Sequence, residues 1–183
     1  MMLIVPRHPE TLALRVDRLW NGQLCPDERV WGKVELSVVS EGLEIKAEGP
    51  VLPEMRVPKE APIGARVEGL WNDDVIELFL VGPGHQYFEL ELGAGGHFLA
   101  LSFDRIRHRR DDFSQFSPSL VYTKTPHKTW ISACVIPNRL LPENVRALNV
   151  FVYMAGQFLS LSPLPGDKPD FHQPDEFPSA TLT

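Results

Sequence analysis

The chain has 183 residues, 43% hydrophobic and 23% charged, a composition that excludes a disordered polypeptide and suits one domain over 1–183 burying ~70% of its unfolded surface. A formal net charge of -6 argues against a general nucleic-acid or anionic-membrane partner, because phosphate binding needs a basic footprint. Neutral and cationic small molecules stay open.

From the N-terminus, "MMLIVPRHPE" offers too short an apolar run before Pro6 for a secretory signal, and no stretch of roughly 18 apolar residues occurs. The expectation is a cytoplasmic chain. Short runs rich in Val, Ile, Phe and Tyr, separated by turn residues, predict strands near 12–17, 29–39, 42–48, 74–81, 86–92, 97–103, 119–124, 129–136, 147–154 and 157–162. Only "PNRLLPEN" (137–144) has room for a helical turn. The fold class expected is all-β, an antiparallel sandwich. Two proline-rich stretches, "GPVLPEMRVPKEAPIG" (49–64) and "SPLPGDKPDFHQPDEFP" (162–178), are predicted as long surface excursions. Cys25 and Cys134 fit neither a disulfide framework nor a metal set, so two reduced thiols are expected.

"VIELFLV", "YFELEL" and "HFLALSF", joined by "GPGH" and "GAGG", read as a three-strand meander. Matching apolar sets sets Leu78 opposite Phe88 and Ile76 opposite Leu90, hence Glu77 opposite Glu89; across the second hairpin it sets Leu90 against Leu99 and Phe88 against Leu101. The outer face would carry Val75, Glu77, Phe79, Tyr87, Glu89, Glu91, Ala100 and Ser102. Opposed glutamates repel and need an arginine, a cation, a shared proton or water between them. As two carboxyls ~5 Å apart they also suit a retaining glycosidase.

Trp71 stands just ahead of the first of these strands; with Asn72 and Glu77 it supplies an aromatic face and polar groups suited to a sugar, although alone it reads better as a cap on the sandwich end. "DRIRHRRDD" (104–112) reads as a solvated connection from which one arginine can turn inward to Glu77. No HxH, HExxH, GxxxxGK[ST] or GxSxG pattern occurs, and "GAGG" lies between two strands, which disfavours nucleotide binding and serine-hydrolase chemistry.

Taken together, "VWGKVELSVVSEGLEIKAEGP", the first proline-rich excursion, "GLWNDDVIELFLVGPGHQYFELELGAGGHFLALSF", a following arginine and the terminal "KPDFHQPDEF" resemble the family 9 carbohydrate-binding modules and their stand-alone relatives in the DOMON-like superfamily. The resemblance spans most of the chain. It implies a two-sheet antiparallel β-sandwich with a non-catalytic sugar site, in which two tryptophans of the xylanase-linked modules sandwich a terminal sugar. Trp71 and Glu77 match the aromatic and acidic binding positions; Arg107, or else Arg105, matches the arginine after the third strand. No counterpart of the second tryptophan is placed: Trp130 lies in a strand, and Trp20 and Trp31 lie early. Modules of this kind can hold structural calcium, but no DxDxDG run marks a site here.

The reading is a domain that binds a small polyhydroxylated ligand, a carbohydrate, without transforming it, through Trp71, Asn72, Glu77, Tyr87, Glu89, Arg105 and Arg107, with no metal or cofactor. Glu77 is expected to face the same side as Glu89 and to be held by Arg107. Its rivals are a glycosidase built on Glu77 and Glu89 and a protein-interaction domain.

Overall fold

The computed structural model describes residues 2–183. Among the described residues thirteen strands follow one another: β1 (Leu3–Val5), β2 (Leu12–Val16), β3 (Gly32–Val39), β4 (Gly42–Pro50), β5 (Val75–Val81), β6 (Tyr87–Gly93), β7 (Phe98–Arg105), β8 (His108–Asp111), β9 (Val121–Lys124), β10 (Thr129–Pro137), β11 (Ala147–Met154), β12 (Gln157–Ser160) and β13 (Ala180–Leu182). Among the described residues helix is confined to single 3-10 turns at Leu70–Asn72, Asn138–Leu140 and Pro174–Glu176. One antiparallel sheet runs β2-β3-β4-β10-β9 and the other β12-β11-β5-β6-β7-β8, while β1 and β13 form a short parallel pair. The all-β sandwich is therefore the observed fold. The short β1, β8 and β13 had no sequence signal of their own.

The two sheets pack face to face because their strands alternate. Val34, Leu36, Leu43, Ile45, Trp130 and Ile136 of the five-stranded sheet meet Ile76, Leu78, Phe88, Leu90, Val150 and Val152 of the six-stranded sheet in one apolar core. The six-stranded sheet is unusual in burying its other face too. Phe79, Val81, Tyr87, Leu101, Phe103 and Phe151 form a second apolar layer there, covered by Leu164, Phe171 and Phe177 from the 162–178 excursion. That is why every position of β5 and β6 is buried.

The meander β5-β6-β7 forms, but in a different register from the expected one. Leu78 pairs with Leu90, Glu77 with Glu91 and Phe79 with Glu89, a two-residue shift; Gly84, with φ 65°, stands at the apex of the first turn. Across the second hairpin Leu90 pairs with Ala100, Glu89 with Leu101 and Tyr87 with Phe103, a one-residue shift that exchanges the faces of β7. Ala100 is thus in the inner core, Ser102 shares its face, and Leu99, Leu101 and Phe103 occupy the outer side. Apolar alternation had no power to decide this, since "FLALSF" is apolar at nearly every position; the turn that ends at Gly96 (φ 81°) does.

Candidate functional site

A cavity of about 390 Å³ opens on the outer face of the six-stranded sheet. Its floor comes from Glu77 of β5, Glu89 of β6 and Leu101 and Phe103 of β7; its walls come from Trp71, Tyr153 of β11, Phe158 of β12 and Phe171; Arg107, Arg109, Asp170 and His172 also line it. Trp71 is placed by the turn before β5. Gly69 takes a left-handed φ of 80°, Asp73 donates its backbone N–H to the Leu70 carbonyl (2.9 Å), Leu70 is buried as the anchor, and Trp71 keeps 41% of its surface accessible. Asp74 fixes the start of β5: one carboxylate oxygen accepts the Ala155 N–H (3.2 Å) and the other the Arg56 N–H (3.3 Å). Phe158 is 37% exposed and packs on Tyr153 with ring centroids 4.6 Å apart, and Phe171 stacks on Phe151 at 4.1 Å.

Three glutamates share the outer face at the floor. Glu77 and Glu89 retain 4% and 3% exposure toward the cavity, and Glu91, paired across from Glu77, retains none. Among the described residues no ion pair reaches any of the three. Burial, reinforced by the charge of Glu89, raises the Glu77 carboxyl well above the usual range. Burial and then the charges of Glu77 and Glu89 raise Glu91 likewise. Glu89 is pushed up to about 7 by burial, held back there by a bond from Glu91 and by the more distant Arg109 and Arg107. When ionised, both Glu91 oxygens and Oε2 of Glu89 lack a donor. Among the described residues, then, no side chain supplies the cluster with a compensating charge or donor.

The arginine expected to hold Glu77 does something else. Arg107 closes the two-residue turn between β7 and β8 with φ 58°, and its guanidinium bonds Asp170 Oδ1 at 2.7 Å. Its backbone N–H donates to the Tyr87 hydroxyl (3.0 Å), which lies 2.8 Å from His172 Nδ1. Burial, then the Arg107 charge, lowers His172 to about 4, so the neutral ring accepts the Tyr87 proton at Nδ1. Asp170 also accepts the His172 N–H at 3.0 Å. "PDFH" is therefore a latch that clips the 162–178 strap over the outer face: Asp170 to Arg107, Phe171 to Phe151 and His172 to Tyr87.

Of the expected site residues, the cavity brings together Trp71, Glu77, Glu89 and Arg107. Tyr87 lies beneath the floor, 1% exposed and stacked on Phe103 at 4.5 Å. Asn72 points elsewhere, its amide bonded to the Gly69 carbonyl at 3.0 Å, and Arg105 lies outside the lining, on the exposed end of β7. Tyr153, Phe158, Arg109, Asp170, Phe171 and His172 were missed as site residues; the "PDFH" motif had signalled Asp170, Phe171 and His172, and the "DRIRHRRDD" loop the region of Arg109. Trp130 is wholly buried and Trp31 lies under the Arg15 guanidinium at 4.8 Å, so neither reaches the cavity; Trp20 bonds through its backbone to Phe158 and Leu164 beside it. Among the described residues no three His, Cys, Asp or Glu side chains converge as metal ligands, so no side-chain calcium set is assembled.

No family model matches the chain, and no curated protein matches it in sequence. Solved structures do match in fold. A candidate carbohydrate-binding protein from Bacteroides uniformis superposes with a TM-score of 0.74 at 13% identity, over 100% of this chain and 99% of its own. A family 9 carbohydrate-binding module from Caldicellulosiruptor kristjanssonii in complex with cellotriose superposes at 0.61 and 11% identity, over 100% of this chain and 93% of its own; its complex with glucose gives 0.62 and 11%, over 100% and 96%. The fold is that of the family 9 carbohydrate-binding modules.

Proposed function

We propose that the cavity binds a small polyhydroxylated ligand, a carbohydrate, and does not transform it. The observation that carries this reading is an aromatic-walled cavity with an accessible Trp71 and two carboxyls, Glu77 and Glu89, on its floor. Flat rings accept the C–H faces of a sugar, and a few placed polar groups orient its hydroxyls. The structural neighbours that hold cellotriose and glucose support it. The glycosidase alternative is weaker: a retaining pair needs one ionised nucleophile beside one proton donor, and among the described residues no cation bonds Glu77 or Glu89 to fix either as the nucleophile.

Thermal unfolding in the presence of glucose, cellotriose and other mono- and disaccharides tests the reading, because any ligand of the folded state raises the midpoint. A saturable rise with a sugar, lost in Trp71→Ala and in Phe158→Ala while each variant keeps its β-sheet circular dichroism, is the expected result. A sugar that stabilises both variants as it does the parent protein locates binding elsewhere and sinks the assignment.

A further inference from the structure

We infer that the ligand of this cavity carries a basic amino group: an amino sugar whose ammonium sits against Glu77 and Glu89 while its ring lies among Trp71, Tyr153, Phe158 and Phe171. This rests on the carbohydrate reading above and narrows it. Charges around the cavity do not balance where the ligand goes. Arg107 is committed to Asp170 at 2.7 Å, and Arg109 to Glu68 at 2.8 Å. His172 is neutral, and burial pushes the Tyr87 hydroxyl up to about 12, so neither brings a charge. That leaves three acids on adjacent strands, Glu77, Glu89 and Glu91, with no cation of their own. Two of them open into the cavity, and Oε2 of Glu89 is buried with no hydrogen-bond partner.

A hydroxyl is a poor answer to such a floor, since a neutral group does not offset the cost of ionising a buried carboxyl. An ammonium offers three donors and the missing charge, and charge-assisted bonds are the stronger class. Aromatic walls favour the same group through the negative faces of their rings. An anionic sugar meets repulsion instead. Burial favours the protonated form of Glu77 and, in part, of Glu89, so seating the ammonium shifts both toward the carboxylate, and the protons released go to solvent.

Isothermal titration at pH 7 with glucose, N-acetylglucosamine, glucosamine and cyclohexylamine, in two buffers of different ionisation enthalpy, tests this. Glucosamine should bind about tenfold or more tightly than glucose or N-acetylglucosamine, a margin of about 1.4 kcal/mol, and should release protons where the neutral sugars release none. In Glu77→Gln, checked for folding by circular dichroism, that margin should shrink to about threefold or less. Glucose binding as tightly as glucosamine overturns the inference and leaves the carbohydrate reading standing. Cyclohexylamine binding with no sugar bound keeps the amine and removes the sugar. No binding by glucosamine or cyclohexylamine overturns the inference, whatever the neutral sugars do. A full margin in Glu77→Gln, or saturation by calcium chloride alone, overturns the amine assignment.

Discussion

On the inner face of the six-stranded sheet, Val152, Ile76, Leu92 and Phe98 form one row across the strands and Val150, Leu78, Leu90 and Ala100 the next, apolar from end to end. One residue further along, the outer rows read Phe151, Glu77, Glu91, Leu99 and Asn149, Phe79, Glu89, Leu101. In these rows the side chains of both faces are buried, yet only the outer rows carry polar ones, and these divide in two. Asn149 is fully satisfied: its carbonyl oxygen accepts the Val150 and Ser162 N–H groups at 3.0 and 3.1 Å, and its amide reaches Ser160 Oγ and the Ser162 carbonyl at 3.2 Å each. It fastens the strap. The glutamates have no such partners. A polar group kept buried with its bonds made serves the fold, whereas one kept buried without them costs stability and points to a ligand.

Four measurements break or sharpen this contrast. The largest effect belongs to the inner face: Leu78→Ala should destabilise by about 2–5 kcal/mol in denaturant unfolding, since a fully buried leucine leaves a cavity between two packed sheets. A cost below about 1 kcal/mol contradicts a close-packed inner core.

The pH dependence comes next. Glu89 titrates near 7 when folded and near 4.5 when unfolded, so between these values the folded state holds the extra proton, and stability should fall as pH rises through that window. The loss is on the order of 3 kcal/mol for one such group. Glu77 and Glu91 act in the same sense. His172, lowered to about 4, acts oppositely and removes stability as pH falls below about 6.5. Glu89→Gln should reduce the downward slope; an unchanged profile means that Glu89 is not buried as described.

At pH 7, Glu91→Leu should raise stability by about 1–3 kcal/mol, opposite in sign to Leu78→Ala although both sites are fully buried. A large destabilisation would show that Glu91 has a partner in solution. The smallest effect is at the latch: Asp170→Ala should cost about 1 kcal/mol, because the Arg107 pair is half exposed, and should raise amide exchange across 165–172 before any global unfolding. Exchange at the unmodified rate would mean that the aromatic contacts of Phe171 hold the strap alone.

Much of this was legible in the chain. The strands from Leu12 to Ser160, β8 apart, follow from alternation and turn residues, both of which are local, so the sandwich and its meander were readable. The stretch "WNDDVIE" pointed to Trp71 and Glu77, and these do line the cavity. The outer layer was not readable, because a strand buried on both faces loses the alternation that marks its register, and β7 slipped a whole face for that reason.

What the sequence determined by itself was the architecture and the presence of three glutamates on one face of β5 and β6, since parity along each strand fixes a side. Tertiary structure decided which glutamates stand opposite one another, which carboxylate takes Arg107, and which rings join Trp71. Those contacts join Arg107 to Asp170, Phe151 to Phe171 and Tyr87 to His172, residues far apart in sequence whose meeting depends on where a proline-rich strap crosses the sheet. No local propensity encodes that crossing, because it is selected by the burial of Leu164, Phe171 and Phe177 against a face that exists only once the sheet has formed.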